Sequence, residues 1–312
     1  MCGISGIVFN STNCLSNFIS YSVLYKKIID IDKLFLSNSN INELYDLAWK
    51  YKTNINFIGY LKNEKEHKYV VNTIQLLDTF IKNKDKVISN LNDDIHYSKK
   101  IEKIKDIKWF LEKELKQTKL FINNFIIKTQ FKKIDESIIV FYKNLSSIIN
   151  SINFLEMRGR DSLGVSINLL LDKNIKLNIK QFKNLQYCKN IDNTSNVQFI
   201  FKFSKNIGYL GENADNIISQ IKANKNFVNL INKSKIINGS IVCHTRWASV
   251  GQVNDNNCHP IINNEKIKQS IPYIHAFVNG DIYNYKEIID TKQKEFGKKL
   301  KNSCSSDSLS VP

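Results

Sequence analysis

The sequence predicts an α+β fold in which a long all-helical segment interrupts a strand-bearing domain. Three observations predict it. Apolar residues recur at helical spacing through the middle of the chain. Short β-branched runs bounded by polar clusters lie towards its two ends. Between Gly6 and Gly159 there is a single glycine, Gly59, and no proline, so the middle lacks the residues that break helices. At 312 residues, 42% of them hydrophobic, the chain is long enough to bury one large core or two ordinary ones.

The elements follow in order. Gly3-Ile-Ser-Gly-Ile-Val-Phe9 is a short β-rich run with small residues on one side. Ile74, Leu77, Ile81, Ile88, Leu91 and Ile95 form one helical stripe, and Ile101, Ile104, Ile107, Leu111 and Leu115 form another. Ile134, Ile138, Phe141, Leu145, Ile148, Ile152 and Leu155 alternate spacings of four and three, the mark of one buried helix face. His67 and His96 stand isolated among these helices and read as surface residues. Val165–Leu171 and Ile175–Phe182 suit a hairpin across Asp172-Lys-Asn174. Ser240–His244 and Ile274–Val278 are further short strands, each ending in a polar cluster where catalytic groups tend to sit.

Composition excludes several classes. No apolar run approaches the ~18–20 residues of a membrane-spanning helix, so no membrane partner is expected. The start does not read as a secretory signal, and six cysteines are too sparse for a disulfide scaffold. Reduced thiols and a cytoplasmic location are therefore expected. The formal charge of +16 raises the question of nucleic acid. However, 42 of the 45 basic residues are lysines spread along the chain, with no basic block interleaved with aromatics. A solvated lysine-rich surface is the reading, with no nucleic-acid partner.

Against that background the three arginines stand out. Arg158 and Arg160 lie in Met157-Arg-Gly-Arg-Asp-Ser-Leu-Gly164, and Arg246 lies in Cys243-His-Thr-Arg-Trp-Ala-Ser-Val-Gly251. An arginine kept where lysine is otherwise used points to a planar fork gripping a carboxylate, rather than to a surface ion pair. At the other end, Cys2 follows the initiator methionine. Removal of Met1 gives one residue a thiol and an α-amine of reference pKa ~7.7–8.0, hence a nucleophile and its base. Two Cys-His pairs, Cys243-His244 and Cys258-His259, can be drawn as a zinc site, but C-x-x-C is absent and no metal or other cofactor is expected.

Taken together these segments resemble the class II, N-terminal-nucleophile glutamine amidotransferases. Met1-Cys-Gly-Ile-Ser-Gly-Ile7 resembles the family's start, and Arg158-Gly-Arg-Asp-Ser-Leu-Gly164 its Arg-Gly-Tyr-Asp-Ser-Ala-Gly. His244-Thr-Arg-Trp-Ala-Ser249 and Asn257-Cys-His-Pro260 are similar to stretches of the sugar-phosphate aminotransferases of the family. Asn279-Gly-Asp-Ile-Tyr-Asn284 matches an Asn-Gly element with an asparagine-synthetase flavour, and Ser306-Asp-Ser308 the final acidic element. The resemblance implies a four-layer αββα sandwich over residues 1–11 and 134–312, with 12–133 a helical insertion.

It also implies roles. Cys2 attacks the side-chain amide of L-glutamine, and Asn279 and Gly280 hold the oxyanion. Arg246 and Asp307 bind the α-carboxylate and α-ammonium, and Trp247 and Ser249 sit in the closing loop. Gly159, Asp161 and His259 order the surroundings. The ammonia is implied to go to an acceptor, first fructose 6-phosphate to give glucosamine 6-phosphate. Another acceptor, as in asparagine synthetases, is the alternative, and a non-catalytic binding or scaffold module is a third reading. Two positions depart from the aminotransferase pattern, Val250 in the loop and Val278 before Asn279, where the family has histidine. The family fold runs past residue 312, so a truncated chain is expected, lacking a sugar-isomerase-type synthase domain through which a homodimer would form.

Overall fold

The computed structural model describes residues 2–11, 17–88, 95–173, 182, 184–205, 209–249, 251–262, 274–296 and 304–312. Met1, Cys14, Leu91, Val250 and most of the 175–182 strand expected from sequence lie outside them. The chain divides into two compact units, 1–12 with 141–312, and 13–140.

The helical unit contains α1 (Tyr21–Ile29), α2 (Ile31–Phe35), α3 (Asn38–Lys50), α4 (Asn54–Lys62), α5 (Glu64–Ile88), α6 (Ile95–Trp109), a π-helical segment Phe110–Gln117 and α7 (Thr118–Ile122). The stripe from Ile101 to Leu115 is buried throughout, running from α6 into the π-helical segment. The stripe read as continuous from Ile74 to Ile95 is not one helix. Ile74, Leu77 and Ile81 are buried on α5, whereas Ile95 opens α6 and is exposed. One buried carboxylate inside this unit is satisfied locally. The buried Glu66 carboxylate accepts Ser20 Oγ at 2.9 Å and the Tyr21 N–H at 2.7 Å, placing negative charge at the start of α1. His67 is half-buried, its ring 5.3 Å from that of Tyr60, rather than a surface residue.

The unit boundary falls within α8 (Glu136–Leu155), between Val140 and Phe141. By length and composition α8 is apolar enough to cross a membrane, which inspection of the sequence did not bring out. Its stripe residues Ile138, Phe141, Leu145, Ile148 and Ile152 are all buried inside the protein.

The other unit is built on β1 (Gly3–Asn10), β2 (Ser162–Leu171), β3 (Leu185–Ile191), β4 (Thr194–Ser204) and β5 (Ile236–Arg246). They form an antiparallel sheet in the order β1-β5-β2-β4-β3. Helices α9 (Glu212–Ala223) and α10 (Lys225–Asn232) belong to the same unit, followed by β6 (Ile261–Ile262), β7 (His275–Ala276) and α11 (Tyr285–Phe296). A last 3-10 turn covers Asp307–Ser310. The arrangement is α+β.

Strand alternation sorts the sheet's two faces. One carries Leu163, Val165, Ile167, Phe199, Phe201, Ile241 and Cys243, all fully buried. Phe227 of α10 packs edge-on to Phe199, Phe201 and Phe141 there, with centroids 4.8–6.4 Å apart. The opposite face is mixed: it carries Ser162, Gly164 and Ser166 on β2, Gln198 and Lys202 on β4 and His244 on β5, with Ile200 and Val242 between them. Its buried amide Gln198 meets Ser166 Oγ and His275 Nδ1, each at 2.9 Å.

Candidate active site

The C-terminal end of β5 is the centre of the site. Gly3 of β1 pairs with Thr245 and Ser162 of β2 pairs with Arg246, so Cys2 and Asp161 flank the strand's exit from either side. The Trp247 N–H points at Cys2 Sγ, 3.4 Å away, and the thiol lies 3.8 Å from the Trp247 carbonyl. This contact joins residues 245 apart in sequence.

The preceding turn fixes that peptide. The Asp161 N–H donates to the Arg246 carbonyl at 3.0 Å, and Asp161 Oδ2 accepts the Ala248 N–H at 2.7 Å. Gly159 lies flat on the Arg246–Trp247 peptide. A Cβ there would stand 2.7 Å from both Arg246 C and Trp247 N, closer than carbon tolerates. Gly159 and Asp161 thus set the backbone that carries Arg246, Trp247 and Ser249.

Arg246 is buried and donates from Nη1 to the Gln252 carbonyl at 3.4 Å. That carbonyl also accepts from Asn257 Nδ2 at 2.7 Å, and the buried Asn257 exchanges two bonds with Ser305. Trp247 is exposed. Ser249 Oγ donates to Asp281 Oδ1 at 2.6 Å, tying the loop after β5 to the turn containing Asn279 and Gly280. Asn279 is exposed, and Gly280 adopts φ +148°, a value open to glycine and costly for other residues. Asp307 is buried. Its Oδ2 accepts the Ile282 N–H at 2.6 Å, and its Oδ1 accepts the Ser308 N–H at 2.9 Å and Ser306 Oγ at 3.1 Å.

Two histidines complete the surroundings. His244 and His259 face each other with centroids 4.2 Å apart, and both are buried. His244 Nε2 lies 2.9 Å from the Val278 carbonyl. Burial, reinforced by the Arg246 charge, pushes His244 down to about 4. Burial, with His244, Arg246 and Lys202 nearby, pushes His259 down to about 3. Both rings are therefore neutral at pH 7.

Burial also separates the thiols. Cys243 and Cys258 are pushed up to about 12 and about 11, and Cys304 is raised, all chiefly by desolvation, so these remain inert thiols. Cys2 is part-exposed. The drawn zinc set fails on geometry. Cys243 and His244 are adjacent on β5 and project to opposite faces. Among the described residues no cluster of three metal-ligating side chains exists.

Sequence reasoning assigned no role to Asp281, Gln252 or the His244–Val278 contact. Asn257 and His244 stood in the quoted motifs, but their partners were invisible there. Asp281 had a signal, a carboxylate directly after the Asn-Gly dipeptide.

Over 76 residues, 22% of this chain, the sequence is 38% identical to a glutamine–fructose-6-phosphate aminotransferase (isomerizing) of Clostridium perfringens. The match spans 12% of that protein's length, which supports a loose link to its family. No family profile matches the chain, and no solved structure does.

Proposed function

We propose that this chain carries a glutamine-hydrolysing site with Cys2 as nucleophile. The observation that carries the reading is the meeting of Cys2 Sγ with the Trp247 N–H, one residue beyond Arg246. With Met1 removed, the α-amine of Cys2 takes the thiol proton, and sulfur bonds to the side-chain carbonyl carbon of glutamine. Asn279 Nδ2 and the Gly280 N–H hold the oxygen as it becomes negative. Collapse of this intermediate breaks the C–N bond, and the amine's proton leaves with nitrogen as ammonia. Water then hydrolyses the thioester to glutamate and frees the thiol. The Arg246 fork takes the α-carboxylate of the substrate, and Asp307 the α-ammonium.

The ammonia passes to an acceptor held by a separate synthase domain. The identity shared with the aminotransferase favours fructose 6-phosphate as that acceptor. The reading also implies the αββα sandwich, with the mixed face of the sheet turned to a second sheet and residues 12–133 an added helical module.

The test is labelling of the 312-residue chain with a glutamine-shaped diazoketone, followed by peptide mass analysis and a glutaminase assay. An adduct on Cys2, blocked by glutamine, and loss of hydrolysis in Cys2→Ala are expected. Glutamine hydrolysis that survives Cys2→Ala refutes the reading.

A further inference from the structure

The turn that precedes α11 is held at three points by side chains from elsewhere. Asp307 takes the Ile282 N–H, Ser249 takes the Asp281 carboxylate, and His244 reaches the Val278 carbonyl. The first two lie after Gly280. The third lies directly before Asn279. Residues 277–279 are in no strand, because β7 ends at Ala276, so the sheet ladder does not orient the Val278 peptide.

A carbonyl can only accept, so His244 donates from Nε2 and its Nδ1 carries no proton. Nδ1 is buried and has no hydrogen-bond partner among the described residues. The ring is packed against His259 and seated in β5, two residues before Arg246. One strand therefore carries the anchor of the Asn279–Gly280 turn and leads directly into the peptide that touches Cys2.

We infer that His244 is a positioning residue: its Nε2–H holds the Val278 carbonyl and thereby aims Asn279 and Gly280 at the oxygen on the carbon that Cys2 attacks. The service to catalysis rests on the glutaminase reading; the tether itself does not. A group that acts only by aiming oxyanion donors serves the transition state more than the bound substrate. Its loss falls on kcat and leaves KM nearly unchanged.

The experiment has three arms on the full 312-residue chain. Nitrogen-15 spectra of the wild-type imidazoles report the tautomer of His244, and the Nε2–H form is expected. Hydrogen exchange of the peptide spanning 276–282 is compared in wild type, His244→Leu and His244→Gln. Glutamine places an amide nitrogen the same number of bonds from Cα as His Nε2, so it restores the donor, whereas leucine removes it. Exchange is expected to rise about tenfold or more in His244→Leu and to return towards wild type in His244→Gln. Glutaminase kcat is expected to fall about 10- to 100-fold in His244→Leu, below the full loss of an oxyanion donor, with KM within about threefold and most of kcat recovered in His244→Gln. A wild-type Nδ1–H tautomer, unchanged exchange in His244→Leu, or equal kcat losses in folded Leu and Gln variants overturns the inference. A wild-type chain with the tether but without glutaminase overturns the proposed activity and leaves His244 as the anchor of the turn.

Discussion

Replacing His259 by leucine should make the sheet-bearing unit less sensitive to acid without weakening it at neutral pH. The His259 ring is 2% exposed, and neither of its nitrogens has a hydrogen-bond partner among the described residues. Leucine of similar bulk removes two desolvated polar atoms, so stability at pH 7 should hold or rise by about 1 kcal/mol. The pH term follows from linkage. In the unfolded chain the imidazole titrates near ~6.5, whereas in the fold it is pushed down to about 3. Between those values the unfolded state binds a proton that the native state does not. The stabilisation is therefore complete above the unfolded pKa and is lost as pH falls through this window. From pH 7 to pH 5 the loss from His259 is about 2 kcal/mol, and His244, pushed down to about 4, adds a similar amount. Carboxylate contributions cancel between the two proteins, so the difference between them isolates the imidazole. The assay is urea unfolding at pH 7 and pH 5, read by pulsed hydrogen exchange on β5 peptides so that the helical unit does not contribute. His259→Leu should lose about 2 kcal/mol less than wild type between the two pH values. Equal losses would refute the reasoning, because His259 would then be able to take a proton in the native fold.

Two further outcomes are expected. Gly164→Ala should destabilise the sheet by about 3 kcal/mol or more in urea unfolding, because a Cβ there falls 1.5 Å from the His259 carbonyl oxygen, a backbone atom that no rotamer change can move. A loss below about 1 kcal/mol would mean that the 258–260 segment can move aside at little cost. Arg246→Lys should lower kcat/KM for glutamine by about 1.5–3 kcal/mol in transition-state terms while leaving iodoacetamide alkylation of Cys2 unchanged. Equal slowing of both reactions would make Arg246 a structural residue.

What could be read from sequence was local. The stripe ending at Leu155, the first strand and the strand expected over Ser240–His244 each rest on a pattern within one element, and each is present, the last as part of the longer β5. The stripe through Ile95 misled because six well-spaced residues say nothing about a break between them. The polar run Ser89-Asn-Leu-Asn-Asp-Asp94 was the available warning. The π-helical segment carries Leu111 and Leu115 at ordinary helical spacing, so no pattern marks it. Of the expected strand Ile274–Val278 only His275 and Ala276 are in a strand, and the Val278 carbonyl goes to a histidine. A side-chain bond across 34 residues leaves no periodic trace.

The sheet's discontinuity has a consequence during synthesis. Among the described residues β1 pairs only with β5, so the first strand leaves the ribosome before its partner there, which is complete once residue 246 has emerged. At ~5–20 residues per second that delay is on the order of tens of seconds. Through that interval residues 13–140, a compact unit in themselves, are already complete in the growing chain. The proposed nucleophile requires that Met1 be trimmed, and through this interval the extreme N-terminus stays within reach of processing enzymes. Docking of β1 waits for β5, and the pairing that ends the interval is the one that brings the sulfur to Trp247.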